Sequence, residues 1–195
     1  MVILITEDKK ELIRLHAIEV IARNGFQNTK IKDIAKESSI ASGTIYNYFK
    51  SKNEIMDYII ITEFEKRSKA LKESIGNNNS FLAVITNILE YHIEEIRQNP
   101  ALVRLIMQET FQLMEYSNVP ISNILNENDK LMTEFVIQAQ QRGEISKNFN
   151  AAFIAASILY SFRNFAYAYV KKDVPSLDLV EAKKQILQFY INGLI

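Results

Sequence analysis

The residues that could do chemistry are few. His16 and His92 are the only imidazoles in 195 residues, and there is no cysteine. Thiolate nucleophiles, disulfides and cysteine-based zinc sites are therefore excluded. His92, with Glu95 three positions on and Glu94 beside it, has the spacing of a metal pair on one helix face. No second histidine supports it, so no metal or cofactor is expected. A catalytic centre needs a nucleophile, a base and an orienting group that converge, and nothing in the sequence assembles one. An enzyme is not expected. The most specific chemistry lies in the run Ser42-Gly43-Thr44-Ile45-Tyr46-Asn47-Tyr48-Phe49. Small and hydrogen-bonding residues open it, as a helix must if its N-terminal end is to enter a major groove. Gly43 lets the backbone approach DNA closely. Thr44, Tyr46 and Asn47 can reach base edges, since Asn pairs with adenine and a Thr methyl touches thymine. Tyr48 and Lys52 suit phosphates. Thr29 is read as the cap of the preceding helix, whose free amides would hold a phosphate. Between Phe26 and Lys52 there are five lysines and two acids, a local charge of +3 in a chain whose net charge is zero. Phosphate neutralisation requires such a local excess.

The elements that would hold this run are helical. Five glycines and three prolines in 195 residues are too few for an all-β chain, which needs turn residues every 8–12 positions or so. Thr6-Glu7-Asp8 reads as the capped start of a first helix that ends at Asn24-Gly25. Two short helices follow, Ile31 to Ser38 and Ser42 to Tyr48, separated by Ser39, Ile40 and Ala41. That is the spacing of a helix-turn-helix. Ser51 with Glu54 forms a capping box for a fourth helix reaching Ser74. After the turn at Gly76 come longer helices: Phe81 to Gln98 capped by Ser80, one begun by Pro100, one from Val119-Pro120 to Arg142-Gly143, Ala151 to Val170 capped by Asn150, and Leu177 to Asn192. The expected fold is all-α with about nine helices.

The stretch from Gly25-Phe26 through Thr29-Lys30-Ile31-Lys32-Asp33-Ile34-Ala35-Lys36 to Ile40-Ala41-Ser42-Gly43-Thr44-Ile45-Tyr46-Asn47-Tyr48-Phe49-Lys50-Ser51-Lys52-Asn53-Glu54-Ile55 resembles the DNA-binding domain of the TetR family of bacterial repressors. The resemblance covers about residues 6–66. It implies a helix-turn-helix domain over 1–50 and a ligand-binding and dimerisation domain over 51–195. By matching position it implies DNA contacts at Thr29, Ser42, Gly43, Thr44, Tyr46, Asn47, Tyr48 and Lys52. Two positions depart from the family pattern: Asn47 stands where relatives often carry a basic residue or histidine, and His16 where they are usually small.

The family also implies a homodimer built from the last two helices. The sequence agrees, because Ala151 to Val170 is apolar nearly all round and must be buried on more than one side. Ala155, Ile158, Leu159, Phe162, Ile186, Leu187 and Tyr190 are the expected interface. An effector pocket is expected among the aromatic-rich middle helices, with His92, Met107, Gln108, Phe111, Tyr160, Arg163, Asn164 and Tyr167 around it. Its apolar walls suit an acyl chain or an aromatic drug-like compound. Arg163, on an otherwise apolar helix, needs a partner, either the effector or an acid of this chain. The N-terminus has no basic region before its apolar residues, so no signal peptide is expected there. Arg163-Asn164 interrupts the most apolar helix, so a cytosolic chain without a membrane span is expected. The expected function is a repressor released from a pseudo-palindromic operator by a hydrophobic or amphipathic inducer. The alternative is a DNA-binding regulator that answers to a partner protein.

Overall fold

A computed structural model describes residues 2–76, 79–106, 121–171 and 178–194, with side chains at 9–76, 79–106, 122–171 and 178–194. Among these residues it contains helices and no strand: α1 (Val2–Asn24), α2 (Ile31–Glu37), α3 (Ser42–Tyr46), α4 (Lys52–Gly76), α5 (Phe81–Gln98), α6 (100–106), α7 (Ile121–Gln141), α8 (Ala151–Lys171) and α9 (Leu179–Leu194). The chain divides into two compact units. One holds Met1–Glu63 and the stretch that begins at Arg104; the other holds Phe64–Val103 and Pro120–Ile195. The division falls inside α4, which contributes residues to both.

In the first unit α1 packs on α2, and α2 on α3. Ile13, Ala17, Val20 and Ile21 of α1, Ile34 of α2, Ile45 of α3 and Ile55, Ile59 and Ile60 of α4 are all buried. α1 begins earlier than the sequence suggested. Thr6 is not its cap, because the helix already runs from Val2; the apolar residues ahead of Thr6 extend the helix rather than precede it. Gly25 ends α1 in the left-handed region (φ 78°), its N–H donating to the Ile21 carbonyl at 2.8 Å. Glycine adopts that conformation without strain.

In the second unit α5 shows how periodicity becomes burial. Phe81, Val84, Ile85, Ile88, Leu89, Ile93 and Ile96 recur at helical spacing, and all are buried. They meet α8, whose Ile154, Ile158, Phe162, Ala166 and Val170 recur every four residues, while α7 covers α8 with Met132, Phe135, Val136 and Ala139. The Phe81 and Phe135 rings stack at 6.3 Å. Each cap has an identifiable side chain: Ser80 accepts from the Ala83 N–H, Asn99 from Leu102 and Asn150 from Phe153. α9 starts at Leu179, not Leu177. Asp178 caps it, its carboxylate accepting from Val180 at 2.6 Å and Glu181 at 3.1 Å. The Pro175-Ser176 signal lies outside the described residues. Gly193 does not end α9, which continues to Leu194; the Leu194 carbonyl is closed by the Ser146 N–H at 2.8 Å.

The expected dimer residues need correction on burial. Ala155, Ile158, Phe162 and Tyr190 are interior to this chain's own core, with the first three at most 1% exposed. Leu159, Ile186 and Leu187 are partly buried against the same core. The sequence counted these apolar side chains as surplus to a single chain, whereas α5 and α7 already cover them. The apolar side chains left outside on α8 and α9 are Phe153, Val180 and Phe189, at 68%, 67% and 75% exposure. Among the described residues no helix is long and apolar enough to cross a membrane.

Candidate nucleic-acid interface

α3 is only five residues long and gains nothing from a side-chain N-cap, since its cap is Ala41. Tertiary packing must therefore hold it. Ile45 is fully buried and Phe49 nearly so. The Phe49 ring lies 5.5 Å from that of Tyr58 on α4. With these inward, Gly43, Tyr46 and Asn47, at i, i+3 and i+4, form one exposed face. Tyr46 is 55% exposed although it is a large aromatic. Ser42, Thr44 and Tyr48 are half-buried at its flanks. Gly43 has open space around its missing side chain, with nothing within 4 Å of a Cβ built there. No packing within the protein requires glycine at that position.

The turn before α3 reaches its shape through Ser39, in the left-handed region at φ 54°, and through the Ser38 hydroxyl, which donates to the Ile34 carbonyl at 2.8 Å. The capping role expected of Thr29 is not what the structure shows. Thr29 is 1% exposed and its hydroxyl donates back to the Gly25 carbonyl at 2.8 Å. The cap of α2 is Lys30, whose N–H donates to the Asp33 carboxylate at 2.9 Å. Threonine is the better cap by type, but the chain leaves α1 so tightly that its hydroxyl is consumed by the loop. At α4 the box is skewed: Ser51 Oγ accepts from the Glu54 N–H at 3.2 Å, while the Glu54 carboxylate reaches Lys50 N at 2.5 Å. Lys52 is not extended into solvent; its ammonium lies against the carbonyls of Phe26 and Gln27.

One buried charge set in this unit was missed in the sequence analysis. Arg14 and Glu63 are both 3% exposed and their side chains meet at 2.6 Å, while the Glu11 carboxylate takes two further Arg14 N–H groups at 2.7 Å each. Burial alone would push the guanidinium down; the Glu11 bonds and the Glu63 charge outweigh it and hold Arg14 above its ordinary value. An arginine between Ile13 and Leu15 was the available signal.

The second unit gathers some of the expected effector residues and separates others. His92 Nδ1 lies 3.2 Å from Glu95 Oε2, and Glu95 also binds Arg67 of α4 at 3.1 Å. Among the described residues no group of three histidine, cysteine or acidic side chains could hold a metal. Tyr160 donates to Asp129 of α7 at 3.1 Å, and the Arg163 guanidinium sits 4.8 Å from the Tyr160 ring. Burial first, then the nearby charge of Arg67, lowers the Arg163 pKa; Tyr160 and Asp129 oppose this. Asp129 is thus an acid of the kind Arg163 was expected to need. Asn164 faces solvent, and Tyr167 is half-buried with the Lys171 ammonium 5.2 Å from its ring. Met107, Gln108 and Phe111 lie outside the described residues. A cleft of about 620 Å³ between α5 and α9 is lined by Tyr91, Ile93, Leu179 and Val180 under Glu90, Arg97 and Lys183. Among the described residues, none of the expected effector residues lines it.

Glu95 has a pH consequence. Burial would raise its pKa, but the His92 hydrogen bond and Arg67 hold it below the usual carboxylate value of 4.5. Its stabilising contribution is complete above that value and is lost as pH falls through the lower folded-state pKa. Urea unfolding in steps from pH 7 to pH 3 should show Glu95→Gln losing less stability below pH 4.5 than the wild type. Equal losses would remove Glu95 from the acid response.

Residues 13–59 match the family model described as bacterial regulatory proteins, tetR family. Over 185 residues the chain is 31% identical to the HTH-type transcriptional regulator UidR of Escherichia coli, covering 92% of this chain and 89% of UidR. The chain belongs to the TetR family. This TetR-family chain is a DNA-binding transcriptional regulator rather than an enzyme. It is also 25% identical to the fatty acid metabolism regulator protein of Bacillus subtilis, over 91% of both chains. Its fold matches that of the B. subtilis regulator FadR, solved in complex with stearoyl-CoA, with a TM-score of 0.75 at 23% identity over 94% of this chain and 98% of that one.

Proposed function

We propose that this TetR-family regulator is a cytoplasmic homodimeric repressor. It reads a pseudo-palindromic operator through the Gly43, Tyr46 and Asn47 face of α3 and leaves that operator when its second unit binds a hydrophobic or amphipathic small molecule. The observation that carries the proposal is the composition of the α3 face: a bare backbone at Gly43, an exposed ring at Tyr46 and an amide at Asn47, with apolar side chains turned inward. Thr44, Ser42, Tyr48 and the exposed Lys30 and Lys50 supply sugar and phosphate contacts.

Dimerisation is assigned to the exposed apolar side chains of α8 and α9. Phe153 and Phe189 are large aromatic side chains left 68% and 75% exposed on the two helices from which the family builds its dimer. A twofold axis through that surface would bring each side chain against its counterpart or near it. Phe153→Asp and Phe189→Asp should each convert a two-chain mass to a one-chain mass in light scattering. A wild type of one-chain mass at micromolar concentration overturns this part of the proposal.

For the effector, long-chain acyl groups and their coenzyme A thioesters are the first class to test, given the stearoyl-CoA bound to the B. subtilis relative. By linkage, effector and operator must weaken each other equally. The test is calorimetric titration with stearoyl-CoA and with free fatty acid, followed by anisotropy of a bound operator duplex. Binding that leaves duplex affinity unchanged would mean that these molecules are not inducers.

A further inference from the structure

Lys52 opens α4, and its type and place invite a phosphate contact. The structure directs its ammonium elsewhere. Nζ lies 2.5 Å from the Phe26 carbonyl oxygen, 3.2 Å from that of Gln27 and 4.4 Å from the centroid of the Phe26 ring. All three partners belong to the loop joining α1 to α2, some 25 residues earlier in the chain. An ammonium has three protons and no acceptor, so two of the three are taken up here and an aromatic face covers the same group.

The loop's own bonds are short-range: Asn28 Nδ2 donates to the Asn24 carbonyl at 3.1 Å, and the rest come from Thr29. The loop leaves α1 through Gly25 at φ 78°. The Gly25 carbonyl is filled from within, by Thr29 Oγ1 at 2.8 Å and Thr29 N at 3.2 Å. The Phe26 carbonyl takes the Thr29 N–H at 3.3 Å as well as the Lys52 ammonium, and Lys52 meets the Gln27 carbonyl from outside the loop. Three residues after Gln27 stands Lys30, the cap of α2, followed by the first amides of that helix. The side chain that anchors Phe26 and Gln27 therefore also sets where the N-terminus of α2 stands.

We infer that Lys52 is a positioning residue of the DNA reader: it acts on operator affinity through the α1–α2 loop and not by neutralising a phosphate. The inference rests on the assignment of DNA binding to this unit. Lys30 and Lys50 are exposed and serve as the comparison, since each phosphate neutralised contributes about 0.9 to the slope of log affinity against log salt.

The test uses the full chain and a duplex that the wild type selects from a random-sequence pool, titrated over a range of KCl. Lys52→Met should bind at least about tenfold more weakly at every salt concentration with the wild-type slope, a loss on the scale of one hydrogen-bonded charge. Lys52→Arg, which can still donate to both carbonyls, should recover most of the loss. In the absence of DNA, amides over 27–33 should exchange faster with deuterium in Lys52→Met than in the wild type. A slope reduced by about 0.9 with unchanged exchange would make Lys52 a phosphate ligand and overturn the inference, as would wild-type affinity in Lys52→Met. If the methionine variant does not fold, Lys52→Gln, which keeps a donor without the charge, carries the same two readouts. If the wild type selects no duplex, it is the DNA-binding assignment that fails; unchanged exchange over 27–33 in Lys52→Met still counts against the loop's dependence on Lys52.

Discussion

Gly43→Ala is expected to keep the fold and lose the operator. A methyl group built on Gly43 meets nothing within 4 Å, and the residue lies inside α3, where glycine costs about 0.5–1 kcal/mol of helix stability relative to alanine. By the protein's own physics alanine is the better residue, and the melting temperature should rise or stay level. A duplex against the α3 face changes the comparison. There the backbone is meant to approach the groove, and an added methyl holds the helix off every contact made by Tyr46 and Asn47. Anisotropy should show duplex affinity falling by tenfold or more, about 1.4 kcal/mol, with circular dichroism unchanged. Equal affinity in the two proteins would move the close approach away from Gly43.

The largest stability effect is expected at Arg14. Its guanidinium joins Glu63 on α4 and Glu11 on its own helix, and both Arg14 and Glu63 are 3% exposed. Removing one partner from a buried ion pair leaves the other charge desolvated, which costs about 3–5 kcal/mol. Arg14→Met should therefore lower the unfolding free energy by that order, a large share of the roughly 5–15 kcal/mol that holds a domain together. Replacing the acid as well, in Arg14→Met/Glu63→Leu, should return much of the loss, because a well-packed apolar pair of similar volume replaces a buried ion pair at little net cost. Chemical denaturation of the two variants checks both statements. A loss under 1 kcal/mol in the single variant would show that water reaches Glu63.

The helix plan was legible because its signals are local. Ser80, Asn150 and Gly25 are terminal residues by type, and each acts as one. The exposed face of α3 was legible because the order Gly43-Thr44-Ile45-Tyr46-Asn47-Tyr48-Phe49 sets apolar residues that face inward among polar and small ones that face outward. What could not be read was competition between partners. Thr29 looks like a cap, but the tightness of the Gly25 turn, a property of three dimensions, commits its hydroxyl to the loop. Lys52 looks like a free cation, but carbonyls from 25 residues away lie within its reach. Ala155, Ile158 and Phe162 look like surplus apolar surface until α5 and α7 are known to cover them. Periodicity says that a face is buried; it cannot say whether the cover comes from the same chain or from a second one.

The most direct measurement is sequencing of the duplexes that the wild-type protein enriches from a random pool. A dimer presenting two α3 faces should enrich inverted repeats whose half-site centres lie one helical turn apart, about 34–36 Å, or at a compatible multiple. The Asn47→Ala protein should relax one base position in both halves together, as expected when a direct contact of about 1–3 kcal/mol is removed twice by symmetry. A pool that stays random, or a single unrepeated site unaffected by changes in α3, would contradict the assignment of that face as the reader.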